Sequence, residues 1–256
     1  MKVFKDICFL CLLFASLSVG AQESQKKSGL LSRATLEYRI KAGFNIGGSS
    51  PLPLPAEIRE LKSYNPGLNI SLEGNIIKWF DKQWGALIGV RFESKGMNTD
   101  ARVKNYFLIM NTPEQGRLEG IWTGNVKTEV KSTSITIPLQ AMYKVSPRWD
   151  LKFGPYISFL PEKKFTGSSY DGYLREGNPT GDKIVIEGEE ANYDFSDDLQ
   201  TFQWGIDLGA EWKVTNHLIV YSDLTWSVNP LFAKEFRGIS FDMYNIYLNV
   251  GFGYTF

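Results

Sequence analysis

Eight stretches of the sequence alternate between apolar and polar side chains. Between 36 and 46, for example, Tyr38 and Ile40 alternate with Arg39 and Lys41. The same alternation recurs at 68–77, 84–95, 135–144, 149–159, 202–213, 218–227 and 244–256. Because successive side chains of a strand point to opposite faces, this period of two predicts strands with one apolar and one polar face. Each stretch has roughly the 10 residues that a tilted strand needs to cross a bilayer.

The connections between these stretches alternate in length. Short turns are expected at 79–83, 145–148 and 214–217, and long loops at 47–66, 96–131, 160–200 and 228–240. An even number of strands, with short turns at one end and long loops at the other, is typical of bacterial outer-membrane barrels. The sequence therefore predicts an all-β fold: an eight-stranded antiparallel up-and-down transmembrane β-barrel with short periplasmic turns and long extracellular loops.

The N-terminus carries the features of a secretory signal. Lys2 and Lys5 precede an apolar run at 7–19, and Gly20-Ala21 provides the small residues of a cleavage site. We therefore predict a signal peptide at 1–21, a periplasmic N-terminal segment at 22–33 and an outer-membrane barrel domain at 34–256.

The mature chain is predicted to lack both cysteine and a membrane-spanning helix. Cys8 and Cys11 fall within the signal, which excludes a disulfide or a thiolate metal site after cleavage. No later run reaches the roughly 18 consecutive apolar residues of a spanning helix. Only helices and closed barrels satisfy their own backbone hydrogen bonds in hydrocarbon, so strands that enter the membrane must close into a ring.

Glycine and tryptophan lie on opposite faces of the predicted strands. Gly85 and Gly154 are on the polar face, whereas Trp84, Trp149 and Trp212 are on the apolar face. Because an eight-stranded barrel is only just wide enough for side chains to fill, the polar face should line the lumen and the apolar face should meet lipid. The three tryptophans lie beside the three short turns and predict one aromatic girdle. A second girdle is expected from Phe92, Phe159, Phe202, Trp226 and Tyr244.

The lumen is then predicted to hold charges of both signs. These charges are Glu37, Arg39, Lys41, Glu73, Arg91, Glu93, Lys144, Asp150, Lys152, Asp207, Glu211, Lys213 and Asp223. An unpaired buried charge is costly, so we expect them to pair into a network. A filled, non-conducting interior is the main interpretation, and a gated or narrow ion path is the alternative.

Several short motifs support a resemblance to a known family. They are Gly43-Phe44-Asn45-Ile46-Gly47-Gly48, Ile137-Pro138-Leu139, Gly154-Pro155-Tyr156 and an aromatic C-terminal strand. With them, 34–256 resembles the PorT-like outer-membrane β-barrel family. The namesake of that family serves protein secretion, and most members have no assigned activity. The ending at 252–256 is similar to the signal that the barrel-assembly machinery reads. This ending implies that machinery as a partner during biogenesis, and the predicted barrel implies outer-membrane lipids as partners.

Catalytic and cofactor-binding residues are not recognisable in the sequence. Barrel enzymes such as lipid A deacylases, palmitoyl transferases and omptin proteases resemble one another in using a histidine near the outer rim. The single histidine here, His217, falls at a short turn at the opposite end, where it is interpreted as a plain turn residue. We therefore predict no catalytic residue, no cofactor and no metal site. The balance of 28 basic and 28 acidic residues gives no reason to expect a nucleic-acid partner.

Three long loops carry further expectations. Prolines at 51–55 and the stretch from Ala56 to Tyr64 predict one or two helical turns that form a lid. The loop at 96–131 is expected to project as a hairpin, with its aromatic side chains either packed inside the molecule or exposed as a contact surface. Those aromatics are Tyr106, Phe107 and Trp122. The acidic loop at 160–200 is interpreted as a solvated charged loop, with a cation site as the alternative.

These features predict a non-enzymatic outer-membrane protein whose extracellular loops form a structural surface or bind a ligand or protein partner. The alternatives are an accessory component of an outer-membrane secretion or uptake complex, and a narrow channel. A hydrolase of the rim that lacks histidine is a third and weaker alternative.

Overall fold

The computed structural model describes residues 36–112, 116–187 and 191–256. The predicted signal peptide and the segment at 22–33 lie outside the described residues and stay predictions. In the described ranges, no helix is long and apolar enough to cross a membrane.

Eleven strands make up the described structure. They are β1 Leu36–Pro51, β2 Ile58–Asn65, β3 Ile70–Trp79, β4 Trp84–Thr112, β5 Gly116–Ser146, β6 Trp149–Glu176, β7 Lys183–Ile186, β8 Ala191–Asp194, β9 Phe202–Lys213, β10 Leu218–Ser227 and β11 Met243–Thr255. Every predicted stretch of alternation coincides with one of the long strands, so the periodicity located the main elements correctly.

Eight of these strands close into a ring. The order is β1-β3-β4-β5-β6-β9-β10-β11, and every neighbouring pair is antiparallel. β1 closes the ring by pairing with β11, from Arg39 opposite Thr255 to Pro51 opposite Met243. The predicted eight-stranded barrel is therefore confirmed, and along the ring no strand edge is left for lipid to cover.

The apolar face of the ring points outward. Trp84, Trp149 and Trp212 are 51%, 47% and 39% exposed, and all three lie beside the short turns. Trp149 stacks on Trp212 with 6.3 Å between ring centroids, across the paired strands β6 and β9. At the other end of the belt, Phe92 and Trp226 also face outward. The orientation predicted from the sequence is correct, and a continuous apolar belt surrounds the barrel.

The glycines of the polar face allow strands and lumen side chains to approach each other closely. A Cβ built on Gly154 would overlap the carbonyl oxygen of Leu139, and one built on Gly209 would overlap the carboxylate of Asp223. Both glycines are buried toward the lumen. Their presence on the polar face follows from the lack of room inside a ring of this size.

Three neighbouring strands extend far past the apolar belt at the long-loop end. β4, β5 and β6 have 29, 31 and 28 residues, several times the length of an average strand. The predicted hairpin at 96–131 is confirmed as the upper part of β4 and β5. The predicted solvated loop at 160–200 is wrong over much of its length, because it contains the upper part of β6 together with β7 and β8.

The predicted helical lid at 56–64 is also wrong. Ile58–Asn65 forms the strand β2, which pairs with β4 from Val103 to Asn98. β3 ends its pairing with β4 at Glu93, so the upper part of β4 has an unpaired edge. Free backbone groups on that edge are satisfied by a new strand, which outweighs the weak local preference for a helical turn.

The extended strands curl over and are closed by β8. Asn192 in β8 pairs with Ser168 of β6 on one side and with Asn111, near the end of β4, on the other. We call the described parts of 51–66, 96–131, 162–200 and 228–242 the head.

Candidate functional site

The lower part of the lumen is organised around Arg39 of β1. Its guanidinium donates to Asp150 of β6 at 3.0 Å and to Glu211 of β9. Glu37 accepts from the Nε of the same guanidinium at 2.6 Å. Lys213 reaches Asp150 from the side at 2.9 Å, so each charge in this layer has an opposite partner.

The middle of the lumen is a cluster of two lysines and three carboxylates. Lys152 Nζ lies 2.8 Å from both Glu211 and Asp223. Lys41 Nζ lies 3.2 Å from the same Asp223 and 2.6 Å from Glu73. All of these side chains are buried, so the pairs are shielded from water and ions.

The upper lumen is filled by Arg91 and by a smaller set around Glu93. Arg91 bonds Glu73 on the neighbouring strand and Asp207 across the lumen at 3.2 Å. Glu93 accepts from Lys95 at 2.9 Å and from Thr136 at 2.8 Å. The predicted network of paired charges is therefore confirmed, except that Lys144 makes no ion pair with a described residue and lies over the ring of Trp79 instead.

The lumen charges balance. The cations are Arg39, Lys41, Arg91, Lys95, Lys144, Lys152 and Lys213, and the carboxylates are Glu37, Glu73, Glu93, Asp150, Asp207, Glu211 and Asp223. Lys95 is the one member that the sequence prediction did not include. A buried charge without a counter-charge is costly, so a filled lumen requires a set of charges that is neutral overall.

An apolar plug at the short-turn end was missed by the sequence analysis. Ile77, Trp79, Leu87 and Met142 pack together there and are almost fully buried. Trp79 donates from Nε1 to Glu37 at 2.9 Å, and Lys144 lies 3.6 Å over its indole ring. The available signal was that Leu87 and Met142 interrupt the polar face of β4 and β5 with bulky apolar side chains.

The head has a hydrophobic core of its own. Trp122 and Leu108 are almost completely buried, and Tyr106 is buried as well. Packing inside the molecule is therefore confirmed for Tyr106 and Trp122, and the alternative of an exposed aromatic contact surface is wrong for them. Phe107 is half-buried.

An aromatic cluster joins three segments of the head. Phe165 of β6 packs edge-on against Phe232 at 4.9 Å between centroids, and Phe232 stacks on Phe236 at 4.3 Å. Phe195, which follows β8, contacts Phe236 at 5.0 Å and stacks with Tyr193 at 5.2 Å. The segment at 228–242 has no long strand, and this cluster holds it against β6 and β8.

A groove of about 790 Å³ crosses the head, and we call it the transverse groove. It runs over five strands at one level, where Ser63, Asp100, Lys127, Ser168 and Asn192 stand opposite one another in consecutive pairs. A second, smaller cavity of about 380 Å³ has Arg117 and Arg237 among its charged lining residues and Phe195 and Phe236 among its apolar ones. The head therefore offers two concave surfaces of different chemistry.

Ion pairs and hydrogen bonds shift two titrations near the transverse groove. The ammonium groups of Lys131 and Lys164 bond Glu129 and lower the pKa of its carboxyl to about 2. Burial, and the hydrogen bond that Tyr170 donates to Asp100 at 2.7 Å, raise the pKa of Tyr170 to about 12. Both groups therefore keep their ordinary charge near neutral pH.

His217 lies in the turn between β9 and β10, as predicted. Its ring stacks on Tyr254 at 5.4 Å between centroids, and its Nδ1 lies 2.9 Å from the carbonyl oxygen of Thr255. This position is at the short-turn end, with the whole lumen between it and the head. Among the described residues, no three or more His, Cys, Asp or Glu side chains are arranged to hold a metal ion.

A closed eight-stranded ring, an apolar belt with an aromatic girdle, and a lumen filled with paired charges define the class of outer-membrane β-barrel proteins. Residues 21–233 match the family described as "Outer membrane protein beta-barrel domain", and the chain belongs to it. The protein is therefore located in the outer membrane. In this class the short turns are periplasmic and the long-loop end, here the head, is extracellular.

Several solved outer-membrane proteins are found among the structures to which the chain is similar. The attachment invasion locus protein Ail of Yersinia pestis is 12% identical, with 86% of this chain and 97% of that chain covered and a TM-score of 0.36. OprG of Pseudomonas aeruginosa is 13% identical, with 87% and 96% covered and a TM-score of 0.34. The outer-membrane protease OmpT of Escherichia coli is 12% identical, with 87% and 94% covered and a TM-score of 0.32. No curated protein sequence matches the chain.

Proposed function

We propose that this protein is a non-enzymatic outer-membrane barrel that anchors an extracellular binding head. The observation that carries the proposal is the head itself, which has its own core around Trp122 and two concave surfaces. A barrel that served only as a membrane anchor would need no such structure above the bilayer. Concave surfaces with converging polar groups are the usual places where proteins bind ligands.

The filled lumen supports binding rather than conduction. Lys41, Arg91 and Lys152 hold the centre of the barrel in ion pairs with carboxylates of β9 and β10. Below them, the plug around Trp79 occupies the periplasmic end. An ion would have to displace both layers to pass.

The position of His217 supports a role without catalysis. General base chemistry near neutral pH favours histidine, and this side chain lies at the periplasmic end, bonded to the C-terminal strand. The proposal predicts unchanged lipid A and peptide profiles in a deletion strain. A change that wild-type protein restores would contradict the non-enzymatic part of the proposal.

Site-specific photo-crosslinking in intact cells tests the binding role. A photoreactive amino acid replaces Asn98 in the transverse groove or Arg237 at the smaller cavity, and matched controls carry it at Lys82 or Asn216 in periplasmic turns. We expect an adduct from at least one head position and not the same adduct from the controls. A head that yields no specific adduct would contradict the binding role. A stoichiometric adduct with another envelope protein would favour an accessory subunit of a secretion or uptake complex.

We also propose the finer classification as a PorT-like barrel. Its two proline motifs lie side by side in the structure, with Pro138 of β5 opposite Tyr156 of β6. Both prolines therefore sit on one pair of neighbouring strands, where each removes a ladder hydrogen bond. A solved PorT-like protein with its corresponding motifs on distant strands would contradict this classification.

The barrel-assembly machinery is proposed as a partner during biogenesis. The ring of Phe256 is exposed at the end of β11, while its backbone N–H donates to Tyr38 at 3.0 Å. The ring is thus available although the backbone closes the barrel. We expect Phe256→Ser to lower the amount of folded protein in the membrane, whereas Phe80→Ser, at an exposed phenylalanine in a periplasmic turn, should not. Equal amounts for both variants would argue against this partner.

A further inference from the structure

The lining of the transverse groove has an unusual composition. It contains four asparagines, Asn65, Asn98, Asn111 and Asn192, together with serine and threonine hydroxyls and not one aliphatic side chain. An asparagine amide carries both donors and an acceptor, and a hydroxyl can act as either. The groove therefore presents hydrogen-bonding groups of both kinds.

One acceptor in the groove is left without a partner. Asp100 accepts from Tyr170 through Oδ2 at 2.7 Å, whereas its Oδ1 is buried and has no hydrogen-bond partner among the described residues. Leaving a buried acceptor unpaired is unfavourable, so a donor on a ligand would satisfy this atom.

The charges around the groove are largely engaged by neighbouring residues. Glu129 is paired with Lys131 and with Lys164, whose Nζ lies 2.6 Å away. Asp194 accepts from the hydroxyl of Ser196 at 2.6 Å, and Lys127 lies 4.9 Å over the ring of Tyr170. Neither sign of charge dominates, so the groove is not suited to a strongly anionic or cationic ligand.

The strands beneath the groove are already paired with one another. β4, β5, β6 and β8 form continuous ladders at the level of Asp100, Lys127, Ser168 and Asn192, whereas β2 pairs only with β4 among the described strands. A peptide that adds as a strand needs a free backbone edge and pockets for its side chains. The floor of this groove offers polar side chains instead.

We propose that the transverse groove binds a neutral oligosaccharide. This inference rests on the proposed binding role of the head and specifies its ligand class. Adjacent hydroxyl groups of a sugar each donate and accept, which matches the mixed amide, hydroxyl and carboxylate lining. Asn98 and Asp100 are two residues apart in β4 and therefore lie on the same face of the strand. Both bind the sugar, and Asp100 Oδ1 accepts a hydrogen bond from a sugar hydroxyl.

Calorimetric titration of the mature protein in lipid nanodiscs tests the inference. The probes are maltohexaose, cellohexaose, mannohexaose and chitohexaose, and the variants are Asn98→Ala and Asp100→Asn. We expect at least one probe to bind and each variant to weaken it by about tenfold or more, as for the loss of a buried hydrogen bond. The matched controls Asn216→Ala and Asp242→Asn, at exposed positions outside the groove, should bind like the wild type. A heat-induced mobility shift on a gel verifies that every variant is folded.

Two outcomes would overturn the inference: no probe binds, or binding persists unchanged in both groove variants. If head-specific photo-crosslinks are still formed in cells, the saccharide inference fails while the proposed binding role stands. If those crosslinks are absent as well, both fail. Binding of a probe that only the groove variants weaken supports both.

Discussion

Glu211 has a central position in the lumen because three cations from two other strands surround it. It accepts from Arg39, lies 2.8 Å from Lys152 and 3.7 Å from Lys41, and is completely buried. Its charge cannot be replaced by water or by a neighbouring carboxylate without rearrangement of that layer. The lumen is therefore sensitive to single charges, although its overall charge is balanced.

Replacing this carboxylate with an amide tests the network. We expect Glu211→Gln to lower the free energy of unfolding by about 3–5 kcal/mol, because buried cations lose their counter-charge. Urea unfolding in phospholipid vesicles, followed by tryptophan fluorescence, measures the change. Glu60→Gln, at an exposed position of β2, is the matched control and should have little effect. Equal stability of the two variants would show that the lumen pairs are not complete in the folded protein.

Tyr170 provides a pH-dependent test of the head. Its folded pKa of about 12 lies above the ordinary value of 10.0, so its contribution to stability is present below pH 10 and is lost as the pH rises through 12. We expect a ¹³C resonance that is absent in Tyr170→Phe to titrate near that value. Asp100→Asn should shift this titration to lower pH, because an anionic hydrogen-bond acceptor is removed, whereas Asp242→Asn should not. Titration of the wild-type resonance near pH 10 would exclude the Tyr170–Asp100 contact.

At the scale of elements, irregularities in β4, β5 and β6 allow the upper sheet to curl. Asn105 and Asp171 adopt positive φ angles of 56° and 46°, and the pairing register shifts at both levels. A Cβ on Gly124 would overlap the ring of Trp122 and the backbone of Gly172. The indole of Trp122 fills this bend and donates to the carbonyl oxygen of Asn125 at 3.3 Å.

Removing this indole should loosen the head and leave the barrel intact. We expect Trp122→Ala to destabilise the head by about 3–5 kcal/mol, since a large buried ring leaves a cavity. Limited proteolysis should then cut within 96–131 faster, while the heat-induced mobility shift of the barrel is retained. Phe107→Ala, at a half-buried site in the neighbouring strand β4, serves as the control. Loss of the mobility shift together with the head would mean that head and barrel fold as one unit.

At the scale of the whole molecule, two layers of side chains block the inside of the barrel, one above the other. The plug seals the periplasmic end, and the ion-paired layers fill the lumen above it. We expect the purified protein to give no discrete conductance steps in planar bilayers. The variant with both Leu87→Ala and Met142→Ala should also be silent, because the charged layers remain in place. Steps in the wild type would contradict the filled lumen, and steps in the variant alone would assign the seal to the plug.

The barrel was predictable from the sequence because the alternation of apolar and polar side chains is a local pattern that recurs in every strand. Arg39, Lys41 and Glu211 alternate with lipid-facing neighbours, so the period of two fixes which side chains face inward. Lipid and a crowded lumen select such different residues that both orientation and pairing of charge follow from the pattern. The exceptions are Leu87 and Met142, which occupy inward-facing positions where the pattern would predict polar side chains. Only their packing together in the plug explains why apolar side chains are found there.

The head was only partly predictable, since its closure depends on residues far apart in the sequence. β2 forms because β4 extends beyond the end of β3 and leaves an edge to pair with. β8 forms because it pairs with both Ser168 and Asn111, and no local preference of 191–194 indicates such a strand. The groove at Asp100 likewise exists only where five strands come into line. The sequence by itself thus determined the strands of the barrel, their inward and outward faces and the membrane environment, because each depends on alternation along one strand. Only the tertiary structure decided the plug, the curled head and its groove, because these depend on which free edges and side chains meet across the fold.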